Sequence, residues 1–189
     1  MAWTRWQVAG PPPYFESAAH FEDLVGRLIT CETLLGRSGV HWDIRPSHHV
    51  PTLEVRVVDA ASRPDDTLLL AAAVKGLALA ALTAVRQGQA APRPEPEMPR
   101  AGYWRAACDG VRGQSVDLRS GRLRPTTQAL VRLWETALPA LATQDLALAD
   151  AARHRLTREG NGADRQRAAY RRRHRLNDVV DHLVHQVTG

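Results

Sequence analysis

Hydrophobic positions along the chain recur with two different periods, and each period predicts a different kind of element. Between Ser17 and Leu35 apolar side chains recur every three or four residues, which predicts a helix that Ser17 caps. From Val40 to Arg45 and from Thr52 to Asp59 apolar and polar residues alternate, which predicts two strands. Because a connection of six residues joins them, we expect an antiparallel pair.

The rest of the chain predicts mostly helices, with one linker and one hairpin. Residues 88–99 are rich in proline and poor in apolar side chains, which is typical of a linker. The predicted fold class is α+β: a single domain, residues 1–189, with a short antiparallel sheet, helices packed on one of its faces and a helical C-terminal region. The remaining predicted elements are helices at about 68–85, 101–109, 126–145, 147–158, 163–173 and 176–187, and a small hairpin around Ser120-Gly121.

The segment from Leu68 to Val85 is apolar enough to be considered as a membrane span. It is barely long enough, and Lys75 and Gly76 lie at its middle, so we expect a buried core helix instead. The first six residues have no apolar stretch typical of a secretory signal, and Cys31 and Cys108 match no metal or redox spacing. These features predict a cytoplasmic protein without a membrane partner.

The basic residues are almost all arginine, since Lys75 is the only lysine among 25 basic residues in a chain of net charge +5. Arginine codon usage in a GC-rich genome explains this, and so does phosphate binding by guanidinium forks. The basic run from Arg171 to Arg175 has no interleaved aromatic residues beyond Tyr170. We therefore expect a solvated helix end there and no nucleic-acid partner.

The predicted strand pair carries the candidate chemistry. Glu54 and Arg56 are two residues apart, so their side chains leave one face of a strand about 7 Å apart. Asp43 and Arg45 share a face of the other strand, opposite Val40, Trp42 and Ile44. If the two polar faces align, their carboxylates and guanidiniums suit a metal-bound nucleotide, although a solvent-facing sheet laced with ion pairs fits the same pattern.

Four segments in order resemble type 2 glutamate–cysteine ligases, which are carboxylate–amine ligases. The strand pair is one of them, in Trp42-Asp43-Ile44-Arg45-Pro46 and the stretch from Pro51 to Asp59. More distantly, Leu53-Glu54-Val55-Arg56 and the helix after it are similar to a core element of glutamine synthetase. The resemblance therefore implies the C-terminal half of a glutamine synthetase-like catalytic domain. The other three segments are Ala9-Gly10-Pro11-Pro12, Tyr103-Trp104-Arg105-Ala106-Ala107 and residues 160–166.

The resemblance also implies roles for individual residues. Glu54 becomes a ligand of Mg²⁺ or Mn²⁺, Arg56 the catalytic group on the transferred phosphoryl, and Arg45 a contact to ATP. Trp104 and Arg105 are expected to line the nucleotide or substrate cleft, although the family commonly has arginine where this chain has Cys108. Two further segments each have a second interpretation: Asp164 and Arg165 as a helix restart after Gly160-Asn161-Gly162, and the adjacent His48 and His49 as loop residues whose side chains point apart rather than as metal ligands.

The implied activity is ATP-dependent joining of a glutamate-like carboxylate to an amine such as cysteine, through an acyl phosphate. Family members are about twice as long as this chain, and their N-terminal half carries a run of glutamates that binds metal. Glu54 alone cannot hold several ions. We therefore expect part of a split or truncated enzyme that needs a second polypeptide, or a non-catalytic binding or scaffolding subunit derived from such a ligase.

Overall fold

The computed structural model describes residues 8–188, whose contacts form two compact units. The first unit comprises residues 8–59, Pro92–Cys108 and Val116–Leu123, and the second comprises Ala60–Ala91, Asp109–Ser115 and residues 124–188. The junction at residues 91 and 92 falls inside the predicted linker, 88–99. A single domain stays a prediction, whereas the α+β class is confirmed by helices combined with short two-stranded sheets.

The first unit begins with strand β1, Ala9–Gly10, and helix α1, Ala18–Thr30. The Ser17 hydroxyl accepts the His20 backbone N–H at 3.1 Å, so the predicted N-cap is confirmed. Strand β2, His41–Trp42, pairs in parallel with β1. The hydrophobic core of the first unit consists of Val8, Phe21, Val25, Leu34, Val40 and Trp42.

Strand β3, Ile44–Pro46, pairs antiparallel with β4, Leu53–Val55, as predicted, with Arg45 opposite Glu54. The expected alternation from Val40 to Arg45 is wrong at its end, because Ile44 is exposed and Arg45 is 6% exposed. The cause lies at Asp43, whose N–H donates to the Gly10 carbonyl and whose carbonyl accepts the Arg56 N–H. The chain changes pairing partner at Asp43, and the inward face moves by one residue.

Helix α3, Glu97–Asp109, follows the proline-rich segment and starts four residues earlier than the sequence predicts. Strands β5, Gln114–Asp117, and β6, Arg122–Pro125, form the expected hairpin. Its turn uses Gly121 at φ +67°, a left-handed conformation that glycine adopts without a steric penalty. The hairpin prediction is therefore confirmed.

The second unit is helical. Its helices are α2, Pro64–Arg86; α4, Thr126–Ala137; α5, Thr143–Glu159; α6, Gly162–Arg173; and α7, Leu176–Thr188. Gly76 of α2 allows a close approach, because a Cβ there would lie 2.4 Å from the Ala137 carbonyl oxygen. The core of this unit consists of Leu69, Ala72, Trp134, Ala137, Leu141, Ala149 and Ala152.

Most of α2 is exposed, so the prediction of a buried core helix from Leu68 to Val85 is wrong. Only Leu69, Ala72 and Gly76 are buried, along one stripe of the helix. Within residues 8–188, α2 is the one helix long and apolar enough to span a membrane, and 11% of its most apolar stretch is buried. Its exposed apolar side chains are Leu68, Leu70, Val74, Leu77, Leu79, Leu82 and Val85.

Candidate active site

Arg45 is buried beneath the strand pair, and all of its guanidinium nitrogens have acceptors. Its Nε and Nη2 lie 2.9 and 2.8 Å from Oε2 of Glu54, which faces it across the β3–β4 pair. Its Nη1 donates to the Val40 carbonyl at 2.5 Å and more weakly to the carbonyls of Arg37 and Ser38, at 3.2 and 3.3 Å. Arg45 therefore ties Glu54 to the backbone turn that precedes β2.

Glu54 lies between two guanidiniums, because Nη1 of Arg56 is 3.5 Å from the same Oε2. The hydrogen bond from Arg45 is the main cause that lowers the pKa of Glu54, and Ser47 and the charge of Arg56 act in the same direction. The carboxylate is thus held in the ionised form that a hard metal ion requires. Within residues 8–188 no cluster of three or more His, Cys, Asp or Glu side chains could hold a metal.

The predicted pair on β4 is brought together, but β4 is not a central strand. Among the described residues, β3 is its only partner, so both strands are edges of a two-stranded sheet. Glu54 turns toward Arg45, whereas Arg56 follows the end of β4 and reaches an open cleft of about 500 Å³. Seven other residues line this cleft, which we call the Asp43 cleft: Gly10, His41, Asp43, Val57, Val58, Asp59 and Tyr103.

Backbone hydrogen bonds fix the polar groups of the Asp43 cleft. The Arg56 N–H donates to the Asp43 carbonyl at 2.7 Å, so the two residues are neighbours across the end of the strand pair. His41 donates its backbone N–H to Val8 at 3.1 Å, as part of the β1–β2 pairing. The elements that hold the first unit together therefore also set the spacing of a carboxylate, a guanidinium and an imidazole.

Partial burial shifts the pKa values of three groups in this cleft. It lowers the pKa of His41, with a further contribution from the charges of Arg56 and Arg45, and this favours the neutral imidazole. It raises the pKa of Asp43, and it raises the pKa of Tyr103 together with the nearby charge of Asp43. Perturbed groups that converge on a cleft are typical of a functional site.

In the segment Tyr103-Trp104-Arg105-Ala106-Ala107, Tyr103 is the residue that lines the Asp43 cleft. Trp104 is 51% exposed, and neither Trp104 nor Arg105 is among the residues that line the cleft. The sequence points to α3 as a site element but not to the face of α3 that turns inward, because its apolar residues show no clear helical stripe. The nucleotide contacts expected of Trp104 and Arg105 stay predictions.

Asp164 and Arg165 support the second unit locally. Asp164 and Asn161 form a reciprocal capping box at the start of α6. Arg165 is buried, forms an ion pair with Asp66, and donates to the Ser62 hydroxyl at 3.0 Å and the Gly160 carbonyl at 3.1 Å. These contacts agree with the interpretation of residues 160–166 as a helix stop and restart.

The two remaining candidates have local contacts of their own. The expectation that His48 and His49 point apart is wrong, because they lie in the loop between β3 and β4 and their ring centroids are 3.7 Å apart. In the basic run, Arg173 forms an ion pair with Asp178 at 2.6 Å. Helix α6 ends within this run, where His174 adopts a left-handed C-cap conformation.

Comparison with known proteins finds similarity over nearly the whole chain. A family model described as glutamate-cysteine ligase family 2 matches residues 1–182. A protein of Mycobacterium sp. (strain KMS) named "Putative glutamate–cysteine ligase 2-2" is 42% identical over 183 residues, which are 96% of this chain and 50% of that protein. A protein of the same name from Frankia alni is 41% identical over 187 residues, 98% and 49% of the two chains. The chain spans about half the length of the curated relatives it matches.

Proposed function

Because the chain belongs to glutamate–cysteine ligase family 2, we propose that it forms part of the active site of an ATP-dependent carboxylate–amine ligase. The substrates are a glutamate-like carboxylate and an amine such as cysteine. One observation carries the proposal: Arg56 opens into the same cleft as Asp43 and also contacts the ionised carboxylate of Glu54. The Arg56 guanidinium, which suits phosphoryl oxygens, is thus adjacent to the Glu54 carboxylate, which suits Mg²⁺ or Mn²⁺.

Charge development explains why these groups suit the reaction. A carboxylate acylates poorly, so ATP first converts it to an acyl phosphate, and the amine then displaces phosphate. Negative charge accumulates on the phosphoryl oxygens during both steps, and a fixed guanidinium stabilises it. Arg56 takes this role in the proposal, since its side chain faces the cleft and no protein nucleophile is required.

Glu54 fits a magnesium or manganese ion as one ligand among several. Oε2 of Glu54 accepts from Arg45 and Arg56, Ser47 also bonds to this carboxylate, and in the proposal the same ionised group serves as one ligand of the cation. A bound ion would neutralise phosphate charge there. Residues 8–188 contain no cluster of three or more potential ligands, and in the proposal water and the part of the family fold that this chain does not span supply the others.

The direct contact to ATP that the resemblance implies for Arg45 has less support than the role of Arg56. Binding phosphate would require Arg45 to release Glu54 or the Val40 carbonyl, and the residue is buried. In the proposal Arg45 acts mainly by positioning Glu54, while Trp104 and Arg105 remain candidate nucleotide contacts on α3. This assignment separates a positioning arginine from a substrate-facing one.

The missing ligands imply a second part of the site. We propose that a polypeptide corresponding to the other half of the relatives, joined to this chain or separate, completes the site in the cytoplasm. The test combines this chain with the N-terminal half of the Frankia alni relative, ATP, Mg²⁺, glutamate and cysteine, and measures phosphate release. Turnover by the pair and none by either chain alone is the expected result.

A matched pair of arginine variants tests the site itself. Arg56→Gln should lower kcat by about 100-fold or more, as for loss of one transition-state donor. Arg27→Gln is the control, because Arg27 is exposed and forms only an i,i+4 ion pair with Asp23 in α1. Equal activity of the two variants would refute the role of Arg56.

A binding or scaffolding subunit without chemistry is the second candidate. It is favoured by the internal use of Arg45 and by the single supported metal ligand, Glu54. It predicts a stable complex with the other half and no phosphate release, even at high Mg²⁺. Measuring complex formation and phosphate release on the same sample distinguishes the two functions.

A further inference from the structure

We infer that the Asp43 carboxylate binds the ammonium group of the amine substrate, so that the Asp43 cleft is the acceptor subsite of the ligase. The inference rests on the proposed function. It starts from the position of Asp43 at the point where the chain changes pairing partner. Its backbone N–H donates to Gly10 at 2.9 Å and its carbonyl accepts from Arg56 at 2.7 Å, so both backbone groups are held in place.

The Asp43 carboxylate differs from the other carboxylate of the strand pair by its lack of a protein partner. Glu54 accepts hydrogen bonds from two arginines. Within residues 8–188, no side chain or backbone donor is bonded to the Asp43 carboxylate, and the residue is half-buried in the wall of the cleft. A partly buried carboxylate without a partner is unfavourable, and a cation from a ligand removes that cost.

The residues around Asp43 favour a small cationic ligand that lies next to an anion bound by Arg56. Burial lowers the pKa of His41, which favours its neutral form, and Tyr103 offers an aromatic ring and a hydroxyl, so neither residue brings a fixed positive charge to the carboxylate. Arg56 provides the one guanidinium among the lining residues, and it is tied to Asp43 through the backbone. An amine held by Asp43 therefore lies beside the group that we assign to the phosphoryl.

This juxtaposition suits the second step of the reaction. The bound ammonium transfers one proton to the Asp43 carboxylate, which frees the nitrogen lone pair. The nitrogen forms a bond to the carbonyl carbon of the acyl phosphate, and the carbon–oxygen bond to phosphate breaks with the electron pair leaving on phosphate. The nitrogen then releases its second proton to phosphate or water. Arg56 stabilises the leaving phosphate, so the two side chains act on the nucleophile and on the leaving group respectively.

Ligand binding tests the inference without any need for turnover. The full chain is titrated with L-2-aminobutyrate, which has the ammonium and carboxylate of cysteine without its thiol, and with its N-acetyl derivative, which lacks the cation. Backbone NMR signals of residues 41–43, 56–59 and 103 should shift with the free amine only. Asp43→Asn should weaken binding by about 10-fold or more, as for one charge-assisted hydrogen bond.

The control is Asp23→Asn, an exposed carboxylate on α1 that pairs with Arg27, and it should bind like the native chain. No shift in these segments, equal binding of the acetylated ligand, or unchanged binding by Asp43→Asn would each overturn the inference. Phosphate release by the assembled ligase is a separate readout. Amine binding without any turnover would contradict the proposed function alone, and turnover with an unchanged KM for the amine in Asp43→Asn would contradict the subsite alone.

Discussion

Replacing Arg45 with lysine separates a positioning role from a contact to nucleotide. Lysine keeps the positive charge but has one nitrogen, which cannot reach Glu54 and the Val40 carbonyl together as the arginine fork does. The Val40 carbonyl lies in the core, where Val40 is 1% exposed, so water cannot easily replace the lost donor. The variant should therefore lose stability in the first unit.

The magnitude follows from the bonds that lysine cannot keep. A buried carbonyl left without a donor costs about 1–3 kcal/mol. The two longer bonds, to Arg37 and Ser38, lie at the weak end of hydrogen-bond geometry and add little. We expect Arg45→Lys to lower the free energy of unfolding by about 2 kcal/mol.

Hydrogen exchange is the appropriate assay because it reports on the strand pair directly. The amides of residues 44, 45 and 53–55 should exchange about 30-fold faster in Arg45→Lys, which is the rate equivalent of about 2 kcal/mol. Arg27→Lys on the exposed face of α1 is the control. Unchanged exchange together with weaker ATP binding by calorimetry would refute the positioning role and assign Arg45 to phosphate.

Three further predictions concern stability and association. Burial raises the pKa of Asp43, so the stability that its protonated form contributes is present at low pH and is lost as pH rises through that pKa. Asp43→Asn should therefore gain stability relative to the native chain between about pH 4 and neutrality, measured by urea unfolding at several pH values. Gly76→Ala should lower the free energy of unfolding by about 1–3 kcal/mol in the same assay, because the added Cβ would lie 2.4 Å from the Ala137 carbonyl oxygen. The control Gly26→Ala on α1 adds its Cβ to open space and should not lower the free energy of unfolding. The exposed apolar side chains of α2 should make the isolated chain self-associate in sedimentation experiments. The double substitution Val74→Glu and Leu77→Glu should reduce this self-association. Retention of the chain in membranes after a carbonate wash would instead indicate that α2 spans a membrane.

The stretches with a regular pattern could be predicted from the sequence. Ser17 starts a helix because its hydroxyl satisfies a free backbone N–H, and that depends on residues within one turn. The antiparallel pairing of residues 44–46 with 53–55 follows from alternation and a short connection, and it correctly brings Arg45 beside Glu54. Both features are local, so no knowledge of the rest of the fold was needed.

The composition of the candidate site could be predicted only in part. Alternation assumes one uninterrupted strand from Val40 to Arg45, but Asp43 bonds to Gly10 on one side and to Arg56 on the other. That change of partner buries Arg45, exposes Ile44 and places Asp43 in a cleft with His41. A change of partner depends on the backbone of Gly10, which is distant in the sequence, and no local pattern reports it.

The error on α2 has a different physical origin and bears on the function. Its sequence is apolar on all sides, which is typical of a helix covered around its circumference. In the second unit only the stripe of Leu69, Ala72 and Gly76 is covered, by a core that includes α4 and α5. A pattern of hydrophobic residues indicates how much of a helix surface has to be buried, and it does not indicate which polypeptide packs against that surface. Since this chain spans about half the length of its relatives, the uncovered face of α2 agrees with the proposal that a second half completes the protein.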